Sequence, residues 1–170
     1  IETEEVVVST DSLSFKDYIT ARKNAFILSM LNNPGLSVLL NITMEVGLEP
    51  IDLIKYIVDS KGTDPSSRKC KVRINNFAKD TEEELFETEN EMHNYFSKKE
   101  NFEKLLKGEE GKNLMQTHVT DWIASEIEVI IDKSEQWFHE KQMLKNDLIK
   151  DAINYVRAKS TKVFSDDRLD

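Results

Sequence analysis

The sequence predicts a mostly α-helical fold of about five or six helices, with room for one short N-terminal strand. Apolar residues recur at helical spacing over most of the 170 positions, and only three Pro and five Gly are available to break them. Charged residues make up 32% and apolar ones 39%, a balance that suits a water-facing bundle with a buried core.

The elements follow in order. Glu5-Val6-Val7-Val8-Ser9 is β-branched and reads as a strand too short to stand alone, so a partner strand from elsewhere is expected. Ser14 followed by Asp17 has the form of a helix N-cap, and Phe15, Tyr18, Ile19, Arg22, Phe26 and Met30 carry a first helix over 15–32. Asn33-Pro34-Gly35 stops it. The apolar run Leu36–Val46 predicts a buried second helix ended by Gly47, and Glu49-Pro50 opens a third that closes over 59–62.

Residues 63–79 change composition to small and polar, then basic. They read as a connecting loop that could hold a short strand or irregular helix over the alternating Cys70–Ile74. From Asp80 an acidic amphipathic helix is expected to about residue 98, with Leu85, Met92 and Phe96 in one stripe and Phe86 beside it. Gly108 and Gly111 separate it from a long helix over 114–138, and Leu144–Val156 makes the last. The tail "STKVFSDDRLD" reads as a frayed end. This divides the chain into a strand plus three helices (1–62), a loop (63–79) and a long-helix hairpin (80–170), expected to be parts of one compact unit. The hairpin is expected to pack through Leu85, Phe96, Trp122, Ile127, Ile130, Leu148 and Ile153.

Composition limits function. A formal charge of −9 disfavours nucleic acid and anionic membranes as partners, because both require clustered cations. No run approaches the roughly 20 apolar residues that span a bilayer. One cysteine and no signal-like start suggest a reducing cytoplasmic compartment.

Residue chemistry yields no catalytic, cofactor-binding or metal-ligating assignment. His93, His118 and His139 lack metal-ligand spacing. Glu89 and His93 lie four apart, as solvated pairs on an acidic helix often do, while Trp122 near His118 and Trp137 near His139 have the spacing of core aromatics. Cys70 stands among Arg68, Lys69, Lys71 and Arg73, an electropositive setting that could lower a thiol pKa, but no base or resolving thiol accompanies it. The carboxylates from Glu82 to Glu91 lie on an expected exposed face, where nothing drives their pKa values apart. No phosphate-cradling Gly-rich loop, GxSxG or CxxC occurs.

The opening stretch "EEVVVSTDSLSFKDYITARKNAFILSMLNN" resembles the region after the catalytic barrel in cobalamin-dependent radical S-adenosylmethionine proteins, the group that includes the anaerobic magnesium-protoporphyrin IX monomethyl ester oxidative cyclase type. Glu5, Val7, Val8, Ser9, Ser12, Leu13, Ser14, Asp17, Tyr18, Arg22 and Phe26 carry the resemblance, which covers about the first third of the chain. It implies a parent with a cobalamin-binding domain and a barrel whose CxxxCxxC holds a [4Fe–4S] cluster that binds S-adenosylmethionine. Neither CxxxCxxC nor the cobalamin DxHxxG pattern is present in these residues. The resemblance therefore implies a helical C-terminal accessory domain cut from a longer chain, with the barrel of the same polypeptide as its partner. That origin would also explain a lone strand and the absence of an initiator Met. The alternative expectation is a free-standing acidic interaction module that uses the helix 80–98.

Overall fold

The computed structural model describes residues 5–163, with side chains to Ser160. It contains eight helices among them: α1 (Phe15–Leu31), α2 (Ser37–Glu45), α3 (Pro50–Asp59), α4 (Pro65–Glu83), α5 (Glu89–Phe96), α6 (Lys99–Leu106), α7 (Leu114–Glu140) and α8 (Asp147–Val163). The expected tail beyond 163 lies outside the described residues.

Local chemistry sets each boundary. Ser14 caps α1 by accepting the Asp17 N–H at 3.2 Å, and the Asp17 carboxylate accepts the Ser14 N–H in return at 3.2 Å. Gly47, at φ +74°, turns the chain out of α2 in a conformation that costs a residue with a Cβ. Pro50 and Pro65 each occupy the first turn of a helix, where the missing N–H is harmless.

Eight helices stand among the described residues in place of the five or six expected, because a presumed loop is helical and a presumed single helix is broken, and three expectations for particular segments are corrected. Residues 5–9 form no strand; they run without regular structure, with Val6 and Val7 exposed. The loop over 63–79 is largely helix α4, capped by Asp64, which accepts the Ser67 N–H at 3.0 Å. Its buried positions, Ser67, Cys70, Ile74, Phe77, Ala78 and Thr81, have helical spacing, but only Ile74 and Phe77 are large and apolar, so the stripe is faint. The helix expected over 80–98 is broken. Helix α4 ends at Glu83, and Thr88 starts α5 by accepting the Glu91 N–H at 3.1 Å.

Helix α7 is the central element and packs on α1, α3, α4 and α8. It runs antiparallel to α4, since Asp80 meets His118 near one end and Ser67 meets Lys133 near the other. One apolar cluster joins α1–α4, α7 and α8, including Phe26, Leu39, Ile57, Phe77, Trp122, Ile130 and Ile153. Phe26 stacks on Phe77 at 4.3 Å and meets Trp122 at 5.7 Å between ring centres. The face expected to pack the 80–170 hairpin is corrected in part. Trp122, Ile130 and Ile153 are buried, and Ile127 packs against the core partly covered. Leu148 faces solvent, 59% exposed. Leu85 and Phe96 are half-buried outside the cluster.

Helices α5 and α6 pack chiefly on one another. Their small aromatic group of Phe86, Tyr95 and Phe96 is tied by Tyr95 Oη to Glu110 at 3.0 Å and by Asn101 Nδ2 to the Tyr95 carbonyl at 2.9 Å.

Truncating Trp122 to Ala is expected to cost about 3–5 kcal/mol, because it removes a fully buried ring. Leu148→Ala should stay within about 0.5 kcal/mol. Urea unfolding of both variants checks this; equal losses would mean that α8 buries the opposite face.

Candidate functional site

The best-built polar constellation lies where the end of α3 and the start of α4 meet the middle of α7. Lys133 on α7 is fully buried, and its Nζ donates to Ser67 Oγ at 2.9 Å and to Gln136 Oε1 at 2.8 Å. The same Nζ lies 4.7 Å from the ring centre of Tyr56 on α3. Ser67 donates its hydroxyl to Asp64 Oδ2 at 2.5 Å, with the Lys61 carbonyl at 3.1 Å as an alternative acceptor. Tyr56 donates to Glu140 Oε1 at 2.5 Å, which closes the far side.

The turn that delivers these groups is specific. Ser60 is buried in a left-handed conformation, φ 39°, and its hydroxyl bonds back to the Ile57 carbonyl. Gly62, at φ +122°, leaves space beside the pair: a Cβ there would come within 2.9 Å of Asp64 Oδ2 and 3.0 Å of Ser67 Oγ.

Electrostatics follow from this packing. The Ser67 hydroxyl and N–H, aided by Gln136 and Lys133, hold the Asp64 carboxyl well below the usual carboxylate range. Burial, reinforced by Glu140, raises Tyr56 above the usual phenol range. Cys70, one turn after Ser67, is fully buried, and burial pushes its thiol up to about 11 despite the Ser60 hydroxyl and Lys133 nearby. The electropositive reading of Cys70 is therefore corrected. Lys69 and Arg73 turn instead to Glu126 on α7, at 2.8 and 3.2 Å, and Arg73 also binds Asp121.

A Ser–Lys pair with a carboxylate has the ingredients of nucleophilic catalysis. Here Ser67 and Lys133 are both fully buried, and each hydrogen bond of the set ends on another member of the fold. The arrangement locks three helices together. Sequence reasoning passed over it because its members are spread over 56–140 and Lys133 sits in a helix otherwise read by its apolar residues.

The other candidates are dispersed. His93 is exposed and 3.4 Å from Glu89, the solvated pair its spacing suggests. His118 is part-buried, 2.9 Å from Asp80, with its ring edge-on to Phe26 and Phe77. His139 is exposed, and Trp137 is buried. The carboxylates between Glu82 and Glu91 all face solvent. Among the described residues, no group of three or more His, Cys, Asp and Glu is arranged to hold a metal ion, and no helix is long and apolar enough to cross a membrane. An open depression of about 330 Å³ beside α1, α3 and α4 is lined by Lys23, Asp59, Lys71 and Asn75, with charges of both signs.

No protein-family model, characterised protein or solved structure matches this chain.

Ser67→Ala should destabilise the fold by about 1–3 kcal/mol, because it strips an acceptor from a buried amine. Lys133→Met should cost less, since it removes the group that needs solvation and keeps the volume. Chemical denaturation decides the order; a larger loss for Lys133→Met would mean that the amine contributes net stability. Because Asp64 is depressed in the folded state, its stabilisation is present above about pH 4 and is lost as pH falls through the folded pKa. Asp64→Asn should therefore show a shallower fall in stability below pH ~4. Acid-unfolding curves that superimpose on the parent would exclude that linkage.

Proposed function

We propose that this chain is a non-catalytic helical C-terminal accessory domain of a radical S-adenosylmethionine enzyme that also has a cobalamin-binding domain. The parent would be of the magnesium-protoporphyrin IX monomethyl ester oxidative cyclase-like type. In this reading the domain packs on the catalytic barrel and shapes substrate access. The observation that carries it is the segment Glu5–Leu13, irregular and mostly exposed, with Val6 and Val7 50% and 71% exposed, running directly into the Ser14–Asp17 capping box. These are the positions on which the resemblance rests. Exposed β-branched residues ahead of a firmly capped helix suit a segment that is completed by contact with another surface.

The cofactors implied for the parent do not fit these residues. A [4Fe–4S] cluster needs several reactive thiolates, whereas Cys70 is single, sealed and held as a thiol. Cluster, S-adenosylmethionine and cobalamin accordingly belong to the parent's other domains in this proposal, and no chemical step is assigned to residues 1–170.

A second reading, a free-standing interaction module, draws on α6. Phe102 and Leu106, one turn apart, are 44% and 71% exposed on a helix pair that stands apart from the main core. The unbroken acidic helix first expected to serve that role is absent, as described above.

The test uses the natural polypeptide that contains these residues, purified anaerobically and reconstituted, with and without residues 1–170. Iron, sulfide and cobalamin should be retained on truncation, while substrate turnover falls at least roughly tenfold. A natural polypeptide that binds neither cluster nor cobalamin would overturn the reading.

A further inference from the structure

Helices α1, α3 and α4 pack on one another in pairs and leave an open depression of about 330 Å³ where they meet. Lys71, Ile74 and Asn75 lie within one turn of α4 and share a side of it, while α1 brings Lys23 and the last turn of α3 brings Val58 and Asp59. The two lysines are not used by the fold. Among the described residues neither Lys23 nor Lys71 has a carboxylate in ion-pair range, whereas Lys69 and Arg73, on either side of Lys71 in sequence, both bind Glu126 of α7. In a chain of net charge −9, two unneutralised ammonium groups from different helices around one hollow make a local positive site. The α3 side has the opposite sign. Asp59 is exposed, and its ion pair with Lys61 spans 3.8 Å to a lysine that is 86% exposed, which is a weak pairing. Asp59 also ends α3, and no backbone N–H of the described residues bonds to the Val58 or Asp59 carbonyl, so the negative end of that helix adds to the carboxylate.

We propose that this depression binds a small zwitterion of net negative charge, an acidic α-amino acid, with Lys23 and Lys71 receiving its two carboxylates and Asp59 at the end of α3 receiving its ammonium. Val58 and Ile74 supply apolar surface for its methylenes, and Asn75 offers a side-chain amide. The proposal is independent of the functional reading above, because it uses only residues of this chain. Two positive groups and one negative group around the hollow are the complement of a ligand with two negative and one positive. A simple dianion would meet the lysines but be repelled by Asp59, and a simple amine would meet Asp59 but be repelled by both lysines. The volume lies at the small end of the roughly 300–1,000 Å³ found for ligand sites, which suits a metabolite of amino-acid size. No aromatic ring lines it, so a nucleobase would find nothing to stack on.

The test is a ligand-observed NMR titration of the natural polypeptide that contains these residues, with L-glutamate, glutarate and inorganic phosphate as probes. L-Glutamate should bind saturably with a Kd below about 10 mM, as suits an open site. Glutarate and phosphate should bind roughly three- to tenfold more weakly, because each lacks the ammonium and meets Asp59. Lys71→Gln should weaken L-glutamate by a similar factor. Asp59→Asn should weaken L-glutamate and tighten glutarate, a reversal that a loss of folding would not produce. Both side chains are exposed, so neither substitution disturbs the core. No saturable binding of L-glutamate in that range, or binding that neither substitution alters, overturns the proposal. Glutarate or phosphate held as tightly as L-glutamate by the unsubstituted chain would make the depression a general anion patch and overturn it as well.

Discussion

Burying the amine of Lys133 is the constraint on which the arrangement of α3, α4 and α7 depends. A polar group with no access to water must find its hydrogen bonds within the fold, and a lysine amine offers only donors. Ser67 Oγ and Gln136 Oε1 supply acceptors, and the Tyr56 ring covers a further side. Ser67 can reach that position only if α4 begins beside the middle of α7. This in turn requires the tight left-handed exit from α3 at Ser60 and the bare Cα of Gly62. Shifting α4 along α7 by one turn would carry Ser67 away from the amine and Asp64 away from Gln136. The apolar cluster supplies attraction without direction, and this polar set supplies register.

The same register is repeated along the pair. Arg73 and Lys69 hold Glu126 at the point where α7 leaves helical geometry, φ −150° and ψ 38°. Ser125, just before it, bonds back to the Asp121 carbonyl at 2.6 Å, which loosens the helix ladder there. On the opposite side Arg157 of α8 binds Asp132 and Glu135 at 2.7 and 2.8 Å. Helix α7 is thereby gripped by cations from two neighbours, Lys69 and Arg73 of α4 and Arg157 of α8.

How much of this was legible in the sequence depended on the size of the buried side chains. Where large apolar residues mark the inner face, as in α1, α2, α3 and α7, spacing and caps located the helices to within a few residues. Helix α4 was missed because Ser67, Cys70 and Thr81 occupy much of its buried face while Val72, an apolar residue of the alternating run, faces solvent. The Asp64-Pro65 start was as readable as Glu49-Pro50, but no strong stripe followed it. The break before α5 was hidden in like manner, since Thr88 and Glu91 are common residues in an acidic run. The Lys133 set could not be read from sequence, because it is defined by the crossing of three helices and by no spacing along one.

The antiparallel pairing of α4 with α7 carries a consequence for how the chain could change over time. Asp80 and His118 are in contact, so the ends of the two central helices already lie together, and everything from 84 to 113 leaves and returns at nearly one point. That excursion, with its own aromatic group, adds no residue to the main core. Doubling a flexible connection costs only about 0.6 kcal/mol in closure entropy, so its length is weakly constrained by stability. Related chains can be expected to differ most in length here, with the segment shortened to a turn or enlarged into a lobe, while the spacing from Asp64 to Phe77 and from Trp122 to Gln136 stays fixed.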